Sequence, residues 1–162
     1  MESQKLYFLS LQLAAAEEVI LRMFSVNFQY FGSNGFSYGS SWKNWRNLAV
    51  FARKNGLMFI PSIAPGYIDT RVRAWNTKTT RSRRNGAYYD LAWKTFEQLI
   101  ENGQGGQKMV SITSFNEWHE GTQIESAIAK TTGNYTYSSY APASPNIYLE
   151  KTKSWVDKLF LH

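Results

Sequence analysis

The sequence lacks cysteine altogether, and it has fewer acidic than basic residues. Without cysteine the chain forms no disulfide bonds and offers no thiolate ligands to a metal, and its redox compartment stays open. The 12 acidic and 18 basic residues give a formal net charge of +6 at pH 7. This positive charge is compatible with an acidic partner but does not identify one.

The sequence also lacks a long uninterrupted apolar run. The most apolar stretch, residues 6–24, is broken by Ser10 and Gln12 and is too short for a membrane span. Lys5 and the apolar residues after it resemble a signal peptide only weakly. The helical spacing of the apolar positions favours an amphipathic helix, or a foreign start of a truncated chain, for residues 1–25. No targeting or transmembrane segment is visible.

What the sequence does contain is typical of a globular α/β protein. Of its residues, 43% are hydrophobic and 16% aromatic, enough for one core. Strand-like and helix-like patterns alternate along it, and no internal repeat is visible. They predict strands at 26–31, 57–63 and 110–115, helices at 42–55, 87–102 and 147–161, and loops at 64–86 and 126–146.

Several residues specify these elements further. Ser41 is expected to cap the first helix, Gly56 to end it, and Pro61 to cause a bulge or an end in the second strand. Helical periodicity predicts three buried faces. These are Trp42, Trp45, Leu48 and Ala52 in the first helix, Tyr89, Trp93, Phe96 and Ile100 in the second, and Leu149, Val156 and Phe160 in the third.

The third strand runs into a loop rich in carboxylates. Glu117 and Glu120 are three residues apart, beside Asn116 and Trp118. Cleavage of a glycosidic bond needs one carboxylic acid to protonate the leaving oxygen and a second carboxylate at the reacting carbon. An indole offers a flat apolar face to a sugar ring, and an amide can bond a hydroxyl. The loop therefore indicates sugar chemistry, although solvated acids with no role fit the same pattern.

Two other functions fit parts of the sequence. Glu117, His119 and Glu120 form a metal site in principle, but one histidine with carboxylates is a thin ligand set. The basic and aromatic residues of 71–84 suit a nucleic-acid backbone, or arginines that pair with acids and glycan hydroxyls. We favour neither metal nor nucleic acid as a partner.

Four segments resemble one known family. The run FNEWHEGTQIE at 115–125 is similar to the active-site signature of glycoside hydrolase family 99, a family of endo-α-1,2-mannosidases. Three further segments follow the same family in order and local sequence: 33–45, 58–89 and 147–155. The resemblance covers roughly residues 26 to 156, and residues 1–25 carry no motif of it.

The resemblance implies a (β/α)8 barrel, which needs about 250 residues. We therefore expect residues 26–162 to be the C-terminal portion of such a barrel, with about three strand–helix units. The carboxylates then stand at the C-terminal end of the last strand, the face on which barrel enzymes place their chemistry. A complete barrel of this kind is expected to be a monomer.

The resemblance also implies an activity and its residues. It implies a retaining endo-acting α-1,2-mannosidase that cleaves N-glycans through a 1,2-anhydro sugar, without cofactor or metal. By motif match Glu117 is the base and Glu120 the acid/base. The expected substrate-binding residues are Tyr30, Tyr67, Arg81, Asn116, Trp118 and His119. An inactive fragment that only binds carbohydrate is the alternative.

The implied partner is a mannose-containing glycan, and the implied location is the Golgi lumen, where the animal members of the family work. The triplet Asn134–Tyr135–Thr136 is a glycosylation acceptor and agrees with a secretory compartment. For Arg81, an ion pair that only stabilises the fold is an equally good interpretation.

Overall fold

The computed structural model describes residues 26–28, 32–103, 108–133, 135–137 and 139–161. The predicted N-terminal helix and Tyr30 lie outside these residues. Strand β1 (Val26–Phe28) pairs in parallel with β2 (Met58–Ile60), and β3 (Ser62–Ile63) pairs in parallel with β4 (Ser111–Ile112). Pro61 separates β2 from β3, so they are two parts of one predicted strand.

The break at Pro61 confirms the prediction of a strand end there, because proline has no N–H to donate to a ladder. The Pro61 carbonyl still accepts the Ser111 N–H at 3.0 Å, and the Ile63 carbonyl accepts the Thr113 N–H at 2.8 Å. Residues 58–63 therefore stand between β1 on one side and β4 on the other. The described residues form an arc of parallel strands but no complete barrel.

In the described part of the chain, the strand segments are followed by three α-helices: α1 (Trp45–Lys54), α2 (Ala87–Glu101) and α3 (Ile147–Phe160). Short 3-10 turns at Trp42–Asn44 and Arg84–Gly86 lead into α1 and α2. Ser41 precedes the first turn, but its hydroxyl donates to the Ser37 carbonyl at 2.9 Å instead of capping the helix. Gly56, with φ +67°, lies just beyond the end of α1, as predicted.

The predicted buried faces of α1 and α2 are largely confirmed. Trp45, Leu48 and Ala52 are buried on α1, and Tyr89, Trp93 and Phe96 on α2. Trp42 and Ile100 are half-buried and pack against this core. Burying side chains of this size contributes roughly 1.5–3 kcal/mol each, so the core orients both helices on the strands.

The predicted buried face of α3 was wrong at Leu149 and Phe160, whereas Val156 is half-buried and packs against the core. Leu149 and Phe160 are each 37% exposed, while Tyr148 and Leu159 are buried. The helix is rotated because its aromatic residues meet those of α2: Trp155 stacks on Trp93 at 6.0 Å, and Tyr148 meets Tyr89 edge-on at 5.6 Å. Two ion pairs close this interface, Lys151–Asp90 at 2.5 Å and Lys158–Glu97 at 2.6 Å.

Two segments without regular structure in the prediction are ordered by specific bonds. The arginine loop, residues 64–83, is closed by an antiparallel bridge between Tyr67 and Arg81. Residues 126–146, predicted as a loop, contain a short antiparallel hairpin of β5 (Thr131–Thr132) and β6 (Tyr135–Thr136). None of the described helices is long and apolar enough to traverse a lipid bilayer.

Candidate active site

The acid loop, residues 113–125, leaves the end of β4 and is closed at its base by hydrogen bonds to itself. The Ser114 N–H donates to the Thr122 carbonyl at 2.9 Å, and the two hydroxyl groups lie 2.8 Å apart. The Ile124 N–H donates back to the Ser114 carbonyl at 3.1 Å. This closure makes the residues from Phe115 to Gln123 project as one unit from the end of the strand.

Glu117 is held by three bonds inside this loop. Its N–H donates to the Ser114 hydroxyl at 2.9 Å, and its carbonyl accepts the Thr122 N–H at 3.2 Å. Its side-chain Oε1 accepts the His119 N–H at 3.0 Å. A half-buried carboxylate that accepts a backbone N–H has a fixed orientation, as a general base needs.

Glu120 is tied to the arginine loop. Its carbonyl accepts the Ile68 N–H at 2.8 Å, and its Oε1 lies 3.5 Å from the Arg73 guanidinium. Burial raises the pKa of Glu120, and the negative charge of Glu117 raises it further, while Arg73 opposes the rise. Its side chain is only 20% exposed. Glu120 therefore has the environment of a carboxyl group that can carry a proton.

Trp118 and His119 border a groove on the hairpin side of the acid loop. The Trp118 indole N–H donates to the Glu125 carboxylate, and the Tyr137 ring meets the indole edge-on at 5.8 Å. The His119 and Tyr137 rings lie 6.1 Å apart. The groove has a volume of about 600 Å³ and is also lined by Lys130 and Thr132. Glu125 thus fixes the indole plane that a sugar ring could stack on.

The other predicted site residues are placed differently. Asn116 is exposed beside Glu117. Tyr67 is buried, and burial together with the charge of Glu120 and a bond to Asp69 raises its pKa. Tyr30 lies outside the described residues. The structure therefore brings Tyr67, Trp118 and His119 around the two carboxylates, with Asn116 exposed at the edge.

The Arg81 guanidinium donates hydrogen bonds to backbone carbonyls. It donates to Asn34 at 2.7 and 3.0 Å, to Lys78 at 3.0 Å and to Thr80 at 2.9 Å. It lines a cavity of about 370 Å³ together with Tyr67, Arg83 and Gly121. These bonds favour a role for Arg81 in ordering the arginine loop. This agrees with the interpretation that Arg81 stabilises the fold, except that its partners are backbone carbonyls and not the acid of an ion pair.

Asp69 and Arg73 were missed as site residues by the sequence analysis. The Asp69 carboxylate is fully buried and accepts hydrogen bonds from Tyr67, Arg73 and Asn76 at 2.9–3.0 Å. The only signal in the sequence was an acid and an arginine four residues apart in an unusually long loop. In the structure these two residues form an ion pair at 2.9 Å, and the same Arg73 nitrogen lies 3.5 Å from Glu120.

The arrangement suits proton transfer at two points. It presents two carboxylates on one loop, one bonded to a backbone N–H and one half-buried with a raised pKa. Such a difference between neighbouring carboxyl groups is how one site provides an acid and a base together. In the parts of the chain that the structure covers, no cluster of three or more histidine, aspartate or glutamate side chains is suited to hold a metal ion.

Comparisons with known proteins agree on one family. A family model described as Glycosyl hydrolase family 99 matches residues 4–160, which includes most of the segment 1–25 that carries no family motif of its own. The chain is 53% identical over 131 residues to the glycoprotein endo-alpha-1,2-mannosidase of Mus musculus, covering 81% of this chain and 27% of that protein. It is 48% identical over 140 residues to a glycoprotein endo-alpha-1,2-mannosidase-like protein of Homo sapiens, covering 86% of this chain and 29% of that protein.

A solved structure is also similar. The GH99 endo-alpha-mannosidase from Bacteroides thetaiotaomicron superposes with a TM-score of 0.79 at 41% identity, covering 91% of this chain and 42% of that one. This chain therefore spans less than a third of the length of these two curated relatives and less than half of the bacterial structure.

Proposed function

The chain belongs to glycosyl hydrolase family 99, and from that premise we propose that it supplies the catalytic carboxylates of an endo-acting α-1,2-mannosidase. Residues 26–162 supply the C-terminal portion of its (β/α)8 barrel, and residues 4–25 belong to the same family match, since the family model begins at residue 4. The observation that carries the proposal is the pair of carboxylates on the acid loop, Glu117 and Glu120, with their different environments.

In the proposed first step Glu117 removes the proton from the 2-hydroxyl of the mannose to be cleaved. The freed oxygen attacks C1 and forms the 1,2-anhydro sugar, while the bond from C1 to the leaving oxygen breaks. Glu120 gives its proton to that leaving oxygen. Burial and the charge of Glu117, which raise the pKa of Glu120, favour the protonated form that this step needs.

In the second step Glu120, now a carboxylate, takes a proton from water. The water oxygen attacks C1 and opens the anhydro ring, and the 2-oxygen takes its proton back from Glu117. Two inversions at C1 give overall retention of configuration. Both carboxyl groups return to their starting protonation, so no cofactor or metal is required.

We further propose that the substrate is an internal α-mannosidic bond of an N-glycan. Trp118 and His119 lie between the two acids in the acid loop, Asn116 directly precedes Glu117, and the charge of Glu120 acts on Tyr67. Arg81 and Tyr30 remain proposed contacts of the glycan, although the Arg81 guanidinium already donates to the Asn34 carbonyl. The relatives' names suggest a glycoprotein substrate, and we propose the Golgi lumen as the place of action. The complete barrel acts as a monomer.

A chimera tests this proposal. The part of the Mus musculus relative that precedes the matched region is joined to this chain, and both the chimera and the chain alone are assayed. Glu117→Gln and Glu120→Gln are compared on a natural glycan and on a glycosyl-α-mannosyl fluoride. Glu101→Gln, an exposed change at the end of α2, is the matched control.

We expect each active-site change to lower cleavage of the natural glycan by roughly 10²–10⁴-fold, the range for removal of a general acid or base. Fluoride leaves without a proton, so Glu120→Gln should keep first-step turnover of the fluoride while Glu117→Gln loses it. If both variants lose little activity on the natural glycan, Glu117 and Glu120 are solvated loop acids without a catalytic role. Glycan binding without turnover in the chimera would indicate the inactive carbohydrate-binding alternative.

A further inference from the structure

Arg73 lies between two carboxylates, one structural and one in the site. Its terminal nitrogen is 2.9 Å from Asp69 Oδ2 and 3.5 Å from Glu120 Oε1. Neither residue of the Arg73–Asp69 pair belongs to the motif on which the proposed function rests. The guanidinium is therefore a fixed positive charge delivered to the acid loop from a different segment.

Asp69 holds this guanidinium firmly. The Asp69 carboxylate also accepts bonds from the Asn76 amide and the Tyr67 hydroxyl, and its carbonyl accepts the Val72 and Arg73 N–H groups at 2.9 Å. Burial alone would raise the pKa of Asp69, but the bonds from Asn76, Arg73 and Tyr67 hold it below its ordinary value. Asp69 therefore favours its carboxylate form, and Arg73 is anchored beside it.

We propose that Arg73 is a positioning residue for Glu120: anchored by Asp69, it orients the Glu120 carboxyl group and stabilises the carboxylate left after proton donation. The part of Arg73 in the reaction rests on the proposed function. The geometry of Arg73, Asp69 and Glu120 does not depend on that function. Arg73 acts through Glu120 and is not itself a proton donor.

The length of the contact suits a group that must change its charge. A charge-assisted hydrogen bond to a carboxylate is about 2.7–2.9 Å long, and such a bond to Glu120 would hold it as an anion. At 3.5 Å, with Arg73 45% exposed, the attraction is weaker. The groups that face Glu120 are Glu117, Asp69 and Tyr67 besides Arg73. Arg73 is the cation among them, so it alone favours the carboxylate form.

The first experiment measures the titration of Glu120 directly. The chimera is labelled with ¹³C at the glutamate carboxyl groups, and the Glu120 signal is assigned by its loss in Glu120→Gln. Arg73→Gln and Arg73→Lys are then titrated beside Arg46→Gln, which removes the same charge from an exposed position of α1. A melting curve for each variant shows that it is folded.

We expect the midpoint of Glu120 to move to higher pH in Arg73→Gln, to move less in Arg73→Lys and to stay unchanged in Arg46→Gln. A folded Arg73→Gln with an unchanged or lower midpoint would overturn the proposal. If Arg73→Gln does not fold, Arg73→Lys decides, because an ammonium cannot span two carboxylates as a planar guanidinium does. An unchanged midpoint in Arg73→Lys would then overturn it.

The second experiment measures kcat/KM against pH in the chimera. Arg73→Gln should lose roughly ten-fold in kcat/KM, less than the 10²–10⁴-fold expected for Glu120→Gln. The alkaline limb of its pH profile should shift to higher pH, since Glu120 stays protonated up to a higher pH. A loss of rate with an unmoved limb would contradict the positioning role. An inactive chimera would count against the proposed function, while the titration would still decide the role of Arg73.

Discussion

Asp69 has no exposed surface, and it is the acceptor for three side chains of its own loop. Its removal leaves buried donors on Tyr67 and Asn76 without an acceptor. An unsatisfied buried polar group costs about 1–3 kcal/mol, more than the bond itself contributes. The stability of the arginine loop therefore depends on this one carboxylate.

We predict that Asp69→Ala lowers the free energy of unfolding of the chimera by about 2–3 kcal/mol. Urea unfolding followed by tryptophan fluorescence measures the change. Asp157→Ala is the control, because Asp157 pairs with Lys153 on the surface of α3 with 39% of its side chain exposed, and such pairs contribute under about 1 kcal/mol. Equal effects of the two changes would contradict the role of Asp69.

The lowered pKa of Asp69 also predicts how stability depends on pH. Because the folded pKa lies below the ordinary value of 3.8, its contribution is complete above that value and is lost as the pH falls through the folded pKa. We expect the chimera with Asp69 to lose more stability below about pH 4 than its Asp69→Asn variant does. Unfolding at a series of acidic pH values measures both slopes, and parallel curves would refute the prediction.

At the scale of elements, much of the chain could be predicted from its sequence. Helices α1 and α2 were found because their apolar residues are spaced at three and four positions and are followed by Gly56 and Gly103. The face of α3 could not be found this way, since Trp155 and Tyr148 are turned inward by α2 and not by local periodicity. The β5–β6 hairpin was hidden because its residues are mostly polar and exposed.

The candidate site divides in the same way. Glu117, Trp118 and Glu120 lie within four positions of the sequence, so their proximity could be predicted from the motif. The link from Arg73 to Glu120 joins residues that are distant in sequence. Such a contact depends on how two loops meet above the strands, which neither spacing nor composition reveals.

Two glycines share a backbone conformation but differ in their surroundings. Substituting each of them separates the cost of a left-handed backbone from the cost of a steric clash. Gly121 and Gly133 both have φ +58°. A Cβ atom at Gly121 would lie 2.6 Å from Ile68 Cγ2, whereas one at Gly133 would meet nothing within 4 Å. Ile68 is the residue whose N–H donates to the Glu120 carbonyl. A side chain at Gly121 therefore pushes on the bond that ties the acid loop to the arginine loop.

We predict that Gly133→Ala costs roughly 1–2 kcal/mol of stability, the penalty for a left-handed residue with a Cβ atom. Gly121→Ala should cost more and should also lower glycan turnover in the chimera by about ten-fold or more, because displaced catalytic groups lose rate steeply. Thermal melts and kcat/KM of both variants measure this. Similar values for the two would show that the Ile68 contact is unimportant.

At the scale of the whole molecule, the arc of strands has two open sides in the part of the chain that the structure describes. There β1 bonds only to β2, and β4 only to β3. Open strand edges and the apolar surface beside them favour association and weaken cooperative folding. In the relatives that this chain matches, most of the sequence lies outside the matched region.

We therefore predict that the isolated chain melts broadly and binds a hydrophobic dye, and that the chimera melts at a higher temperature with less dye bound. Circular dichroism and dye fluorescence on both proteins measure this, with light scattering to show their size. A sharp cooperative melt of the isolated, monomeric chain would mean that the arc is stable without further strands.

The Arg83 guanidinium lies over the rings of both Tyr140 and Tyr148, at 4.9 and 4.6 Å from their centres, and donates to the carbonyls of Gly121 and Gln123 at 2.8 and 2.9 Å. With the Ile68 bond and the closed base, this anchors the acid loop at three points. These three anchors hold the acid loop in place without a ligand, and a site organised in advance needs little rearrangement during a reaction. In the proposed reaction, any movement that admits the substrate would therefore come from the residues around the acid loop, and the two acids would stay in place after the product leaves.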